Sequence, residues 1–454
     1  MNDDAKLIED ADAVENAGMD PTLDDINAEL AGPTQRHRKT NSSQSDRQHA
    51  QFGPGEWLCG ELGDAPEGLA RSSMDAEAFA RLKLSLVSGV GPRLTAALFE
   101  RFGNAAGVMA ASSEQIATVD GIGPVTARSI REASTSSADR DADQIVHWCR
   151  HHDTDILIRS GDEPSGDAVG KSGRYPAMLT DLADPPPILF CRGEVLPQDE
   201  LAVAIVGTRH ATAYGIRQTE RIAHALARAG VTVISGLARG IDAAAHSAAI
   251  DGGGRTIAVL GGGLGQMYPP EHGGLAKAIT ADGAVLSEQP PMRRPIGTMF
   301  PQRNRLVAAL AVATLVIEAP QRSGSLITAR LAGEIGRDVM ALPGPVTSRA
   351  SRGCHALIRD GATLIENVDD ILEVLGPMKS GVPTAEGDVV HQPAELKLND
   401  LERQVLSHVG TESTPIDVVI DRSGLPAHRV LSILSVLEMK RLLRRLSGSC
   451  VIRG

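Results

Sequence analysis

The chain has 454 residues, 42% of them hydrophobic and 22% charged, enough for roughly two to four domains of about 100–200 residues each. Two Trp, three Tyr and six Phe leave the core to Leu, Val, Ile and Ala, which excludes an aromatic platform stacking several bases at once. The net charge of −12 is unevenly spread: residues 1–32 hold ten acids and one Lys, whereas residues 201–377 hold 17 basic side chains, 16 of them Arg, against 14 acidic ones.

Residues 1–74 are rich in Asp, Glu, Ser, Gln and Gly without sustained periodicity, and are expected to form a disordered acidic extension. This start has no apolar h-region, so no secretory signal is expected. Residues 75–137 read as a helical domain. Helices over 78–86 and 93–102 flank the turn Ser88-Gly89-Val90-Gly91-Pro92, and Asp120-Gly121-Ile122-Gly123-Pro124 precedes a helix over 125–133. Two Gly-x-Gly turns between helices look like a pair of helix–hairpin–helix motifs. Their glycines turn tightly, and each following helix starts with free N–H groups that suit a phosphate. A helical packing module that does not touch DNA fits the same pattern.

Residues 138–198 read as a connector, with a helix over 143–151, apolar runs at 155–158 and 188–190, and a Gly/Ser/Asp-rich stretch at 160–174. Over 199–377 short apolar runs at 202–206, 231–234, 256–260, 284–286, 314–317, 339–341 and 362–365 alternate with helices. Those helices are expected near 214–229, 242–250, 272–281, 303–311, 325–335 and 354–359. Buried strands joined by helices predict βαβ units, hence a doubly wound α/β fold with a parallel sheet covered on both faces. Residues 378–394 read as a linker. Residues 395–454 predict helices over 399–408, 416–423 and 427–437 and a hairpin over 441–452, the winged-helix plan. Arg429, Lys440, Arg441, Arg444 and Arg445 on or near its third helix suit DNA, and the same module suits docking of a protein.

The longest apolar run, 306–317, is twelve positions, short of the roughly 20 that span a bilayer. Cysteines at 59, 149, 191, 354 and 450 form no C-x-x-C pair and read as reduced thiols. A soluble cytoplasmic protein is expected.

In a doubly wound sheet the ligand lies beyond the carboxyl ends of the strands. The residues expected there are Gly207, Thr208 and Arg209 after the first strand and Arg239 after the second. Phe300, Arg303, Asn304 and Arg305 follow the fourth, and Ser323, Gly324 and Ser325 the fifth. Small residues let backbone N–H groups approach an anion, helix starts at 303 and 325 face it, and the arginines neutralise it. Neither G-x-G-x-x-G nor G-x-x-x-x-G-K-[ST] occurs, which disfavours a conventional dinucleotide site or a Walker NTPase. Arg209 is expected to contact phosphate, the alternative being a pair with a nearby carboxylate, and Phe300 to stack a base, the alternative being an ordinary core position. Of Arg303 and Arg305, one is expected to face DNA and the other a carboxylate, Glu288 or Glu318. Asp242 and His246 lie four apart but lack a third ligand, so capping and packing are expected of them. Ser323 and Ser325 have no evident base and read as phosphate-facing caps. No catalytic constellation, cofactor or metal is expected.

The same string resembles the DNA-processing protein A family (DprA, also called Smf). The matching residues include Gly207-Thr208-Arg209, residues 235–246, Tyr268-Pro269-Pro270, Ser287-Glu288, Phe300-Pro301-Gln302-Arg303-Asn304-Arg305, residues 323–330, Pro343-Gly344 and Arg352-Gly353-Cys354. Tyr175-Pro176 and Asp184-Pro185-Pro186 look like that family's lead-in to its Rossmann-like domain. The resemblance covers roughly 78–454, with two departures: Thr208 stands where the family usually has Ser, and the stretch at 160–174 is longer than usual. It implies a non-enzymatic protein that binds incoming single-stranded DNA in natural transformation, loads the recombinase RecA, and dimerises through its Rossmann-like domains. The alternative is a nucleotide-processing enzyme similar to the lysine-decarboxylase-like phosphoribohydrolases. Those carry a Glu after a Gly-Gly-x-Gly-Thr run, whereas residues 323–330 hold no carboxylate. A nuclease would need clustered carboxylates for Mg²⁺.

Overall fold

The computed structural model describes residues 62, 64–134, 136–159, 168–169, 174–375, 382–383, 389–390, 398–410, 413–440, 442–446 and 449–453. The order, disorder or role expected of residues 1–61, most of 160–174 and nearly all of the 378–394 linker lies outside them.

The helical module holds α1 (Leu69–Ser73), α2 (Ala76–Leu86), α3 (Pro92–Phe102), α4 (Ala105–Ala110), α5 (Ser113–Ile116) and α6 (Pro124–Glu132). Both Gly-x-Gly turns deliver a Pro to the first helical turn, with Gly91 capping α3 and Gly123 capping α6. Their own core gathers Leu98, Val108, Ile116, Ile122 and Ile130. The short α4 and α5 have no counterpart in the sequence reading.

Next come α7 (Ser136–His151), β1 (Asp155–Ile158), β2 (Ala168–Val169) and β3 (Ile188–Gly193). The central block is β4 (Ala202–Val206), α8 (Ala213–Arg228), β5 (Thr232–Ser235), α9 (Ile241–Asp251), β6 (Thr256–Leu260), α10 (Gly273–Asp282) and β7 (Ala284–Ser287). It continues with α11 (Met299–Leu310), β8 (Ala313–Val316), α12 (Gly324–Glu334), β9 (Asp338–Ala341), α13 (Arg352–Arg359), β10 (Thr363–Leu364) and α14 (Val368–Val374). A two-stranded ribbon pairs β11 (Val382–Pro383) with β12 (Val389–Val390).

The main sheet runs β10-β9-β8-β4-β5-β6-β7-β3-β1-β2. From β10 to β7 every pair is parallel, and β3, β1 and β2 extend the sheet antiparallel. The doubly wound, Rossmann-like plan is therefore present. The segment 138–198, expected as a connector, supplies three strands: β3 takes the edge of β7 in the register Phe190 to Ser287. Such pairing across about a hundred residues leaves no local trace, so only the apolar runs were legible.

All five residues of β4 are buried, as a central strand covered on both faces requires. One face packs Ala204, Val206 and Val259 on Leu306, Val307 and Leu310 of α11; the other packs Val203, Ile205 and Val233 on α8 and α9. The antiparallel extension is covered by the helical module, where Phe79 and Leu82 of α2 and Trp148 of α7 share a core with Ile156, Ile188 and Phe190. Helix α1 lies inside the stretch expected to be without fold. The buried Asp143 carboxylate accepts from the Gly68 and Ala70 N–H groups at 2.8 and 2.7 Å and so caps it.

The C-terminal module has α15 (Asp400–Ser407), α16 (Ile416–Ser423) and α17 (Ala427–Met439), with β13 (Thr414–Pro415), β14 (Leu443–Leu446) and β15 (Cys450–Arg453). These make three helices and a β13-β15-β14 wing around Val405, Val419, Leu434 and Val451. No helix among the described residues is long and apolar enough to cross a membrane.

Candidate nucleic-acid interface

The chain leaves β4 outward through β5, β6 and β7, then returns to lay β8 on β4's other side. The carboxyl ends of β4 and β8 are thus the switch point where a doubly wound sheet opens a crevice. A cavity of about 420 Å³ lies there, lined by the β4 loop (Gly207, Arg209), the β5 loop (Gly236, Ala238), α11 and the start of α12.

Glu318, just past β8 and 2% exposed, braces this rim. Its backbone carbonyl accepts from Thr208 N at 2.8 Å, and its carboxylate accepts from Thr212 N at 2.9 Å and Thr212 Oγ1 at 2.6 Å. Thr212 then caps α8. Gly240, at φ +74°, lets the β5 loop lie on the β4 loop, since a Cβ there would sit 2.4 Å from Thr208 O. Thr208 itself is buried and does not line the cavity.

Arg209 is held with its guanidinium carbon 5.5 Å from the Phe300 ring centre, and its Nη1 is buried without a hydrogen-bond partner among the described residues. A buried guanidinium N–H lacking an acceptor is the feature an anion would complete. Phe300 is 9% exposed, between Arg209 and Tyr268, whose ring centre is 5.6 Å away. With the Arg209 guanidinium over it and Tyr268 tilted against it, the ring offers little free face for stacking a base and supports Arg209 through a cation–π contact.

Arg303 is 7% exposed and donates through Nη1 to Gly236 O at 2.6 Å and to Val259 O. Glycine at 236 makes room for this guanidinium, because a Cβ would lie 2.1 Å from Arg303 Nη1 and push it from its place. Burial pulls the Arg303 guanidinium down to about 10, with the Asp242 charge opposing and the Arg209 charge assisting. It remains a cation, placing positive charge in the cavity wall. Arg305 is the structural partner of the pair. It donates to Glu288 Oε2 at 2.7 Å and to Asp184 O at 3.1 Å, away from the cavity.

Helix α11 begins at Met299, not near 303, because Pro301 is tolerated in a first turn. Arg303 therefore sits a turn inside the helix, and Phe300 and Pro301 are the first-turn residues that line the cavity. The α12 start is where expected. Ser323 caps it, accepting from Ser325 N, while the Ser323 and Ser325 hydroxyls bond each other at 2.8 Å. They are 7% exposed and line the cavity with Gly324, whose carbonyl accepts from Asn304 Nδ2 at 3.3 Å. Arg239 lies beside rather than in the cavity, with Nε on Glu271 Oε1 at 2.6 Å. The exposed Arg322, which the sequence places on the same rim immediately ahead of the Ser cap, also lines the cavity.

Asp242 is the one acid among the described residues lining the cavity. Burial raises its pKa while the nearby Arg303 opposes. His246 binds Thr256 Oγ1 at 2.7 Å, and no group of three metal-ligating side chains occurs among the described residues. Asp242 accepts from Ala238 N at 3.3 Å, ahead of α9, which has no side-chain cap.

A family profile described as DNA recombination-mediator protein A matches residues 168–376, a DprA winged-helix profile matches 390–449, and a SAM-like helix–hairpin–helix tandem matches 81–134. Protein Smf of Escherichia coli K12 is 40% identical over 278 residues, covering 61% of this chain and 74% of that protein. Protein Smf of Synechocystis is 33% identical over 397 residues, 81% of this chain and 96% of that one. The X-ray structure of DNA processing protein A from Streptococcus pneumoniae superposes with a TM-score of 0.53 at 33% identity, covering 64% of this chain and 95% of that one.

Proposed function

Because this chain belongs to the DNA recombination-mediator protein A (DprA/Smf) family, we propose that it binds single-stranded DNA at the switch-point cavity and delivers it to the RecA recombinase during natural transformation. The observation that carries this reading is the buried Arg209 Nη1, which has no hydrogen-bond partner among the described residues. It is braced over Phe300 beside a second buried cation, Arg303, and the capped start of α12. Phosphate fits that array through charge and hydrogen bonding without any demand on base identity. Gly207, Arg209, Arg303, Asn304 and residues 323–325 form the phosphate cradle, with the buried Thr208 shaping the loop behind it. Arg239 joins it once Glu271 releases it, and Phe300 positions Arg209. The role is binding, not catalysis, performed in the cytoplasm by a homodimer whose two cradles share one strand and gain avidity.

The logarithm of the association constant should fall with log salt at about −0.7 per phosphate neutralised. Arg209→Ala should lower that slope by one such share in fluorescence anisotropy with a labelled single strand. A slope of zero for the natural protein rejects the electrostatic cradle. Strands or nucleoside monophosphates incubated with Mg²⁺ should stay intact; base release lost on mutating the cavity favours the phosphoribohydrolase reading.

A further inference from the structure

On the other side of α11 lies a second cavity, of about 500 Å³. The first Gly-x-Gly hairpin, residues 88–92, forms one wall together with Arg93; the loop after β7 and the outer face of α11 form the opposite wall. Phe300, Arg303 and Asn304 line the first cavity, and Met299, Gln302 and Arg305, on the same turns, line the second. One helix therefore separates them, a thickness of about 10–12 Å, or about three nucleotide steps at the ~3.4 Å duplex spacing.

The floor of this second cavity is electrically settled, because Arg305 is paired with Glu288 at 2.7 Å and lies 3.9 Å from Asp184. Arg93 and Arg293 remain as exposed cations with no ion-pair partner among the described residues. Arg293 is fixed in place by its backbone, which accepts from Gly263 N at 2.8 Å and donates to Pro290 O at 2.9 Å.

Gly91 adds a separate observation. Its φ of −94° suits any residue, and a Cβ there meets no atom within 4 Å. Neither its backbone nor the protein's own packing calls for glycine, in contrast to Gly236 and Gly240. What glycine provides is open space beside the cavity, next to the start of α3, which has no side-chain cap.

We infer that this second cavity holds the sugar–phosphate backbone of the same single strand, a few nucleotides from the segment at the first cavity, with Arg93 and Arg293 as its phosphate contacts and Gly91 as the point of close approach. The inference rests on the single-strand binding proposed above. The helical module is then part of the strand's path, and α11 is the ridge over which the strand passes.

The test uses the full chain and labelled oligothymidylates of two lengths, about three and about 25 nucleotides, the shorter spanning fewer steps than separate the cavities and so filling one of them only. The double variant Arg93→Ala/Arg293→Ala should bind the long strand about twentyfold more weakly at 0.1 M salt. Its salt slope should be smaller by about 1.4, two contacts at about 0.7 each. The short strand should bind as before. Gly91→Ala should likewise weaken only the long strand. Gly123→Ala, the matching position of the second hairpin, which also has nothing within 4 Å, should change neither. Unchanged long-strand binding in the double variant, or equal losses at both lengths, overturns the inference while leaving the first cavity's role standing. Failure of the natural protein to bind either length removes both readings.

Discussion

Arg209 and Arg305 lie on opposite sides of one helix and are used in opposite ways. Arg209 holds a buried donor in reserve, whereas Arg305 is consumed by Glu288 and Asp184. Burial raises the Glu288 carboxyl's pKa while the Arg305 charge beside it opposes, so removing the arginine strands a nearly buried acid. Arg305→Ala should cost about 3 kcal/mol in urea unfolding, the scale for breaking a buried pair. Arg209→Ala should change stability by under about 0.5 kcal/mol. His246 tests the interior by pH. The Thr256 hydroxyl donates to Val233 O at 2.7 Å, so His246 Nδ1 carries the proton it gives to Thr256, and Nε2 is bare and without a partner among the described residues. Burial, with the nearby His272 and Arg303 charges, brings its pKa from 6.5 down to about 3. Below pH 6.5 the unfolded chain takes up a proton that the folded chain refuses, so stability held above 6.5 is lost steadily as pH falls toward about 3. In urea titrations below about pH 6, His246→Asn should remove about 1.4 kcal/mol per pH unit of that slope.

At the scale of elements, the sheet from β4 to β9 was legible because each strand is a continuous apolar run bounded by glycine or a helical period, and burial on both faces makes that pattern unavoidable. The cavity was legible for the same reason, since loops at strand ends carry the Gly, Ser and Arg residues that approach an anion. Three things were hidden. The start of α11 was masked by Pro301, which reads as a breaker but fits a first turn. The covering of Phe300 depends on Tyr268 and Arg209 arriving from two other loops. The strands β1 and β3 depend on a long-range partner, β7. That last point sets a limit on dissection. A fragment spanning 199–377 strips β3 from β7 and exposes a row of unpaired backbone groups beside the apolar Val285 and Leu286. It should aggregate on light scattering, whereas a fragment spanning 64–377, which keeps β3 on β7 and the helical module on the antiparallel extension, should stay dispersed and keep the first cavity.

Over the whole molecule, the winged helix closes its own core, while the helical module shares one with the sheet's antiparallel extension. The helical module has a second core of its own, but the shared one fixes the first hairpin's distance from the switch point, whereas the winged helix shares no core with the sheet among the described residues. The switch point also joins the two halves of the doubly wound sheet, β4 to β7 and β8 to β10. Glu318 opens the second half yet bonds the loop that ends the first strand of the other. Neither half can draw back without stranding a carboxylate that is 2% exposed. The cavity is thus shaped before anything enters it, so on the proposed single-strand binding the conformational entropy lost on association belongs almost wholly to the flexible DNA strand. Differences in affinity among strands should then follow how readily each straightens, a stiff stacked adenine run against a loose thymine run, with the protein as the constant template.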